Sequence, residues 1–211
     1  MKIVSLYKES AVDIALMAKE VFEAGGIVAY PTDTLYGLGV DATQENAIEK
    51  LYHLKGRSNT PMSIMLGNVK DIDDYLCDIS VSSHVIINKL LPGALTVVGT
   101  SKYEFSSLLL GDGKSVGIRV PNHELCQAMV QILGRPITTT SANLSGNPPA
   151  LNIERIMSYF HDKIDLLIDN GTLNKSAGST VLDIRNENPV LMREGEISRE
   201  TIQLLSGAKL V

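Results

Sequence analysis

Lys55-Gly56-Arg57 puts two fixed cations at the end of a short amphipathic run, where Gly56 breaks the pattern. Far downstream, Ser141-Ala142-Asn143 follows the β-branched polar run Thr138-Thr139-Thr140 and leads into Leu144-Ser145-Gly146. A strand that ends in small hydroxyl and amide side chains and then glycine presents donors to an oxyanion. Cations plus such donors suggest a phosphate or carboxylate site. Arg119 stands alone in the apolar stretch Val116-Gly117-Ile118-Arg119-Val120-Pro121. A guanidinium in a half-buried strand needs a partner, and its planar fork matches a carboxylate bidentately. Arg193, Ser179-Thr180 and the pair Thr32 and Thr34 around Asp33 complete the polar set.

Each of these also has an ordinary structural explanation. Arg119 reads equally as half of an ion pair with a core acid, and Arg193 as a surface charge beside Glu194 or Glu196. Asp33 suits a capping turn, and Lys55 and Arg57 suit dipole compensation at a helix end. Their joint occurrence favours anionic ligands. No Gly-x-x-x-x-Gly-Lys-Ser/Thr loop, Gly-x-Gly-x-x-Gly turn or Gly-x-Ser-x-Gly elbow occurs in the chain. Positioning and charge stabilisation are therefore the expected means of catalysis, rather than a covalent intermediate.

Stepping outward to the whole chain, 211 residues with 44% hydrophobic content can bury a full core. One domain over residues 1–211, with its core about 10–200, is expected. The net charge of −5 argues against a dedicated nucleic-acid surface, while leaving room for a basic pocket that takes a small anion. Two cysteines, Cys77 and Cys126, form neither a disulfide framework nor a metal spacing, and the four histidines are scattered. Charged residues crowd the first turn and no run reaches the ~20 apolar residues of a membrane span. The expectation is a cytoplasmic protein with no membrane contact and no tightly bound, protein-liganded metal.

Periodicity predicts the elements that must hold these residues. Ile14, Ala18, Val21 and Phe22 stripe a helix from Ser10 to about Ala24, stopped by Gly25-Gly26. Ile27 to Tyr30 reads as a buried strand that Pro31 ends. That leaves Thr32-Asp33-Thr34 at a strand's C-terminal end, where open α/β sheets place ligands. Leu35 to Val40 carries two glycines suited to close backbone approach. Further helices are expected over 44–54, twice within 68–91 (with Val85, Ile86 and Leu90 inward), after Asn122 as cap, after Asn152 with Ile153, Ile156, Met157 and Phe160 inward, and after Ser198. About seven strands interleave with them, which predicts a single α/β domain with a twisted, open, mixed sheet and flanking helices around a basic concave cavity.

The motifs Pro31-Thr32-Asp33-Thr34-Leu35-Tyr36-Gly37-Leu38, Lys55-Gly56-Arg57, Pro92-Gly93-Ala94-Leu95-Thr96, Ile118-Arg119-Val120-Pro121, Ser141-Ala142-Asn143-Leu144-Ser145-Gly146, Ser179-Thr180-Val181 and Arg193-Glu194-Gly195 stand in the order of the YrdC-like family, which this chain resembles from residue 31 to 195. The resemblance implies the open-sheet fold just described. It also implies the activity of the family's best-known members, which make threonylcarbamoyl-AMP and pyrophosphate from L-threonine, bicarbonate or CO₂, and ATP with Mg²⁺. Their product feeds the N6-threonylcarbamoyladenosine modification through a downstream tRNA transfer machinery. By motif, Thr34, Arg119, Thr139 and Ser179 would bind L-threonine; Lys55, Arg57, Ser141, Asn143 and Arg193 would bind ATP, with Lys55 and Arg57 also catalytic. Ala94, Pro149-Ala150 and Gly178 depart from the residues usual at those places. Two other readings stay open: an RNA-binding module with a weak tRNA contact, and another adenylating or carbamoyl-transferring enzyme of the same fold. With three Phe and no Trp to stack bases, the first is the poorer fit.

Overall fold

A computed structural model describes residues 1–56, 61–207 and 210–211. Its strands are β1 (Lys2–Ser5), β2 (Val28–Pro31), β3 (Tyr36–Gly39), β4 (Ser63–Met65), β5 (Leu76–Cys77), β6 (Leu95–Ser101), β7 (Ser115–Arg119), β8 (Ile137–Ser141), β9 (Leu166–Asp169), β10 (Thr180–Asp183) and β11 (Val190–Arg193). Its helices are α1 (Ala11–Glu23), α2 (Glu45–Leu54), α3 (Ile72–Tyr75), α4 (Val81–Leu90), α5 (Glu124–Leu133), α6 (Ile153–Phe160) and α7 (Arg199–Ser206). The strands join in one open sheet in the order β1-β9-β2-β3-β8-β4-β7-β6-β10-β11, with β5 added beside β6. Pairings are mixed: β9 runs parallel to both β1 and β2, whereas β3 is antiparallel to both β2 and β8.

Helix boundaries follow their chemistry. The Ser10 hydroxyl accepts the Asp13 amide at 3.1 Å to start α1, and Gly25, at φ 71°, ends it in the left-handed conformation that glycine adopts without strain. Ser80, Asn152 and Ser198 cap α4, α6 and α7 in the same way. Side chains of β2 and β9 alternate between two apolar clusters. Val28, Tyr30, Leu166 and Ile168 pack with Ile14, Ala18 and Phe22 of α1 and Leu125 and Met129 of α5. Ala29 and Leu167 face the other cluster, with Ile48 and Leu51 of α2, Ile156 and Phe160 of α6, and Ile202 of α7. A strand buried on both faces has no polar side to show, which is why Ile27 to Tyr30 reads as an unbroken apolar run.

Several expectations change. The glycine-bearing segment Leu35–Val40 contains strand β3: Gly39 admits the Thr138 carbonyl, which would lie 2.5 Å from a Cβ built there. Pro31 does not end the ladder, since it still registers with Tyr36 across the β2–β3 pair. Eleven strands replace the expected seven among the described residues. Asn122 does not cap α5: the cap position is His123, without a side-chain bond. Met157 is 39% exposed rather than inward. In α4 the buried residues are Ser83, Ile86 and Ile87; of the expected inner face Ile86 is buried and Leu90 packs against the core part-buried, while Val85 is replaced by Ile87.

Candidate active site

On β7, Val116 and Ile118 enter the core, while Ser115, Gly117 and Arg119 line a cavity. On β6, Leu95 and Val97 are core and Thr96 and Val98 face the cavity. Ser63 of β4, Thr139 and Ser141 of β8 and Val181 of β10 extend the same floor. Among the described residues no α-helix contributes to this lining, so the cavity of about 850 Å³ is the uncovered polar face of the sheet. The cavity thus extends across the strands as well as to their C-terminal ends, the place where open sheets put ligands. Its size falls within the range of small-ligand sites.

At one end of the floor, Thr32 Oγ1 accepts the amides of Thr34 and Leu35, both at 3.1 Å, and so shapes the turn after β2. The bond from Asp33 to nearby backbone is not made. Asp33 reaches across instead: its Oδ1 accepts Arg119 Nη2 at 2.5 Å and its Oδ2 accepts the Asn122 amide at 3.3 Å. Arg119 Nη2 also donates to Thr34 Oγ1 at 2.9 Å. The ion pair expected as the ordinary explanation of Arg119 is present, and the same guanidinium lines the cavity. Arg119 Nε and Thr140 Oγ1 are buried without a partner among the described residues, and buried polar atoms are ordinarily satisfied.

Distant motifs meet on the same floor, where Thr96 of β6 lies across from Arg119 of β7. Ser179 Oγ and Thr96 Oγ1 are hydrogen-bonded at 2.8 Å. Arg193, from the neighbouring strand β11, donates through Nη2 to the Ser179 carbonyl at 2.7 Å, while Glu194 and Glu196 accept the backbone amides of Arg199 and Ala177. Lys55, at the C-terminal end of α2, is 2% exposed and donates to the Ser141 carbonyl, and the Ser145 amide donates back to the Lys55 carbonyl at 3.0 Å. Ser141 Oγ donates to Asn143 Oδ1, and Asn143 Nδ2 holds the Asn147 carbonyl at 2.7 Å.

Thr34, Arg119, Thr139, Ser141, Ser179 and Arg193 thus line one cavity, with Lys55 and Asn143 directly behind Ser141. Arg57 lies outside the described residues. Sequence reasoning missed Ser63, Thr96, Ser115 and Arg185. The alternation of polar and apolar residues through Ser115 to Arg119 could have revealed Ser115. Arg185 had no such signal. It lies just past β10, with Nε and Nη2 on the Asp183 carboxylate and Nη1 on the Asp112 carbonyl at 2.9 Å.

The hydrogen-bonded Arg185 guanidinium holds the Asp183 carboxyl below the usual carboxylate range. Burial pushes the Cys126 thiol up, so this residue is a small apolar side chain rather than a nucleophile. Burial likewise lifts the Tyr36 phenol to about 12; that hydroxyl donates to the Gly171 carbonyl at 2.8 Å and accepts the Asn170 amide at 2.9 Å. No helix among the described residues is long and apolar enough to cross a membrane.

Comparison with known proteins places this geometry. The Sua5/YciO/YrdC family model, described as "Telomere recombination", matches residues 20–195. A threonylcarbamoyl-AMP synthase of Pyrococcus abyssi is 32% identical over 87% of this chain and 54% of its own length. One from Bacillus subtilis is 33% identical over 86% of this chain and 53% of its own length. This chain therefore spans about half the length of these curated relatives. The crystal structure of P. abyssi Sua5 complexed with L-threonine superposes on 100% of this chain and 62% of that chain, with a TM-score of 0.90 at 28% identity. Matched in sequence over most of its length and in fold over all of it, the chain belongs to the Sua5/YciO/YrdC family.

Proposed function

We propose that this chain forms L-threonylcarbamoyl-AMP from L-threonine, bicarbonate or CO₂, and ATP. The single observation that carries this reading is one cavity lined by two differently partnered guanidinium groups. Arg119, held by Asp33 and Thr34, shares the cavity with Thr139 and Ser179, and Arg193, which has no carboxylate partner among the described residues, stands beside the Ser179 carbonyl. Resemblance to the synthases named above supports it.

Arg119 would take the amino acid's carboxylate, with Thr34, Thr139 and Ser179 around its side chain. Held there, the free amine attacks CO₂, forming a carbamate and releasing a proton. A carbamate oxygen then displaces pyrophosphate from the α-phosphorus of ATP. Bringing the two substrates together in a fixed geometry removes much of the entropic barrier. Ser141, Asn143 and Arg193 would hold the nucleotide, and Lys55 and Arg57 would stabilise charge that builds on the departing pyrophosphate. Seated on the Ser141 carbonyl, Lys55 would also hold that turn in place.

Mg²⁺ would enter bound to the ATP phosphates. Magnesium keeps several waters and commonly needs only one or two protein carboxylates, and among the described residues no group of three or more His, Cys, Asp or Glu forms a cage for it. Bound there it would offset phosphate charge. The unstable adenylate would pass to a machinery that transfers threonylcarbamoyl to tRNA. Discrimination of threonine from serine rests on one methyl group, a preference of about 1–3 kcal/mol.

Testing amino acids one at a time for bicarbonate-dependent pyrophosphate release from ATP decides the matter. L-threonine should give the highest kcat/KM. Equal release with unrelated amino acids, or release without bicarbonate, would point to a different adenylating enzyme.

A further inference from the structure

Three described arginines line the cavity, and they are not equivalent. Arg119 is 9% exposed and is paired with Asp33 at 2.5 Å. Arg185 is paired with Asp183 through two nitrogens and leans on the Asp112 backbone. Arg193 forms no ion pair with a carboxylate among the described residues. A cavity that must seat a triphosphate next to a carboxylate faces a sorting problem, because a bare guanidinium binds either anion and phosphate presents more charge.

We propose that Asp33 is a specificity-determining counter-ion: it cancels the charge of Arg119, so that this guanidinium accepts an amino acid's carboxylate and refuses phosphate. The inference rests on the function proposed above and adds a residue to it. Asp33 is placed for the task. It is absent from the cavity lining, it approaches Arg119 from behind, and its second oxygen is pinned by the Asn122 amide at 3.3 Å. Arg119 Nη2 is fully used by Asp33 and Thr34, whereas Nη1 donates to no described residue and is left for a ligand. One free amino group, Nη1, beside a neutralised charge suits a monoanion such as a carboxylate. An uncompensated Arg193 suits a polyanion. Orientation of the two substrates would thus be set by where acids are missing, as much as by where bases stand.

Isothermal titration of L-threonine against rising inorganic phosphate tests this in wild type, Asp33→Asn, Asp33→Glu and Arg193→Gln. In wild type and Arg193→Gln, the apparent Kd for L-threonine should not change with phosphate. In Asp33→Asn it should climb with phosphate, by roughly tenfold once phosphate reaches about ten times its own Kd. Asp33→Glu should restore the flat response, which a role limited to holding the Asn122 turn would not predict. Flat behaviour in a folded Asp33→Asn that still binds L-threonine overturns the proposal, and so does loss of L-threonine binding by that folded variant. Should Asp33→Asn not fold, Arg193→Gln decides: phosphate competing with L-threonine there, Asp33 being intact, overturns it, and a flat response supports it. Wild-type protein that binds no L-threonine would instead overturn the proposed function. The filter would still be judged in that case by whether Asp33→Asn gains phosphate binding over wild type.

Discussion

The sheet has two halves that treat their faces differently. Around β2 and β9 both faces are packed, against α1 and α5 on one side and the larger cluster on the other. Around β6 and β7 only one face is packed, and the other is the cavity floor. The same backbone ladder therefore yields a packed core where both side-chain sets are apolar and a cavity floor where one set is Thr96, Val98, Ser115, Gly117 and Arg119. Stability should concentrate in the first half and ligand recognition in the second.

Phe22, 0% exposed between α1 and the sheet, probes the packed half. Phe22→Ala should cost about 3–5 kcal/mol in urea unfolding, with pyrophosphate release per folded molecule unchanged. Arg119→Gln should act on recognition. Per folded molecule it removes about 10²–10³-fold of threonine-dependent kcat/KM, while KM for ATP stays near wild type, because Arg193 is untouched; it also costs stability, because Asp33 loses its partner. Loss of ATP affinity in that variant would show that the two anion sites are not separate.

A matched pair sharpens the contrast. Val28→Thr buries a hydroxyl where Val28 is 0% exposed and should destabilise by about 1–3 kcal/mol. Val98→Thr makes the same chemical change on the cavity wall, and should stay within about 0.5 kcal/mol. Equal costs would mean the second face is as dry as the first.

Tyr36 belongs to both worlds, packed in the core and lining the cavity. Its folded-state pKa is raised by burial to about 12, above the unfolded value of about 10. The neutral phenol is thus favoured by folding, and its contribution is complete below the unfolded pKa and lost as pH rises through about 12. Tm should fall over that window, and less so in Tyr36→Phe. A pH profile identical in the two proteins would contradict this.

How far the sequence could be read follows the same division. Where burial is two-sided, apolar runs and capped helices such as Ser10 to Glu23 are plain. Arg119 could be named because it interrupts an apolar strand, and Thr34, Ser141, Ser179 and Arg193 because they follow strands or glycine turns. Other features depend on long-range partners that no local pattern encodes. β3 is the segment Tyr36-Gly37-Leu38-Gly39, whose pairing with β2 and β8 makes it a strand. Asp33 looks like a turn residue until β7 brings Arg119 to it. Arg185 reads as an exposed charge until β10 and the Asp112 turn meet. Lys55 looks like a helix-end cation, yet the docked Ser141–Ser145 turn buries it.

The central claim is that an amino acid and a nucleotide occupy one cavity together, the first on Arg119 and the second on Arg193 and the Ser141–Asn143 turn. Backbone amide NMR during titration with L-threonine, then ATP, tests it most directly. L-threonine should shift Gly117 and Thr139, ATP should shift Asn143 and Arg193, and saturating either should leave the other's shifts in place. Mutual displacement, or shifts centred on α1 and α5, would contradict the account.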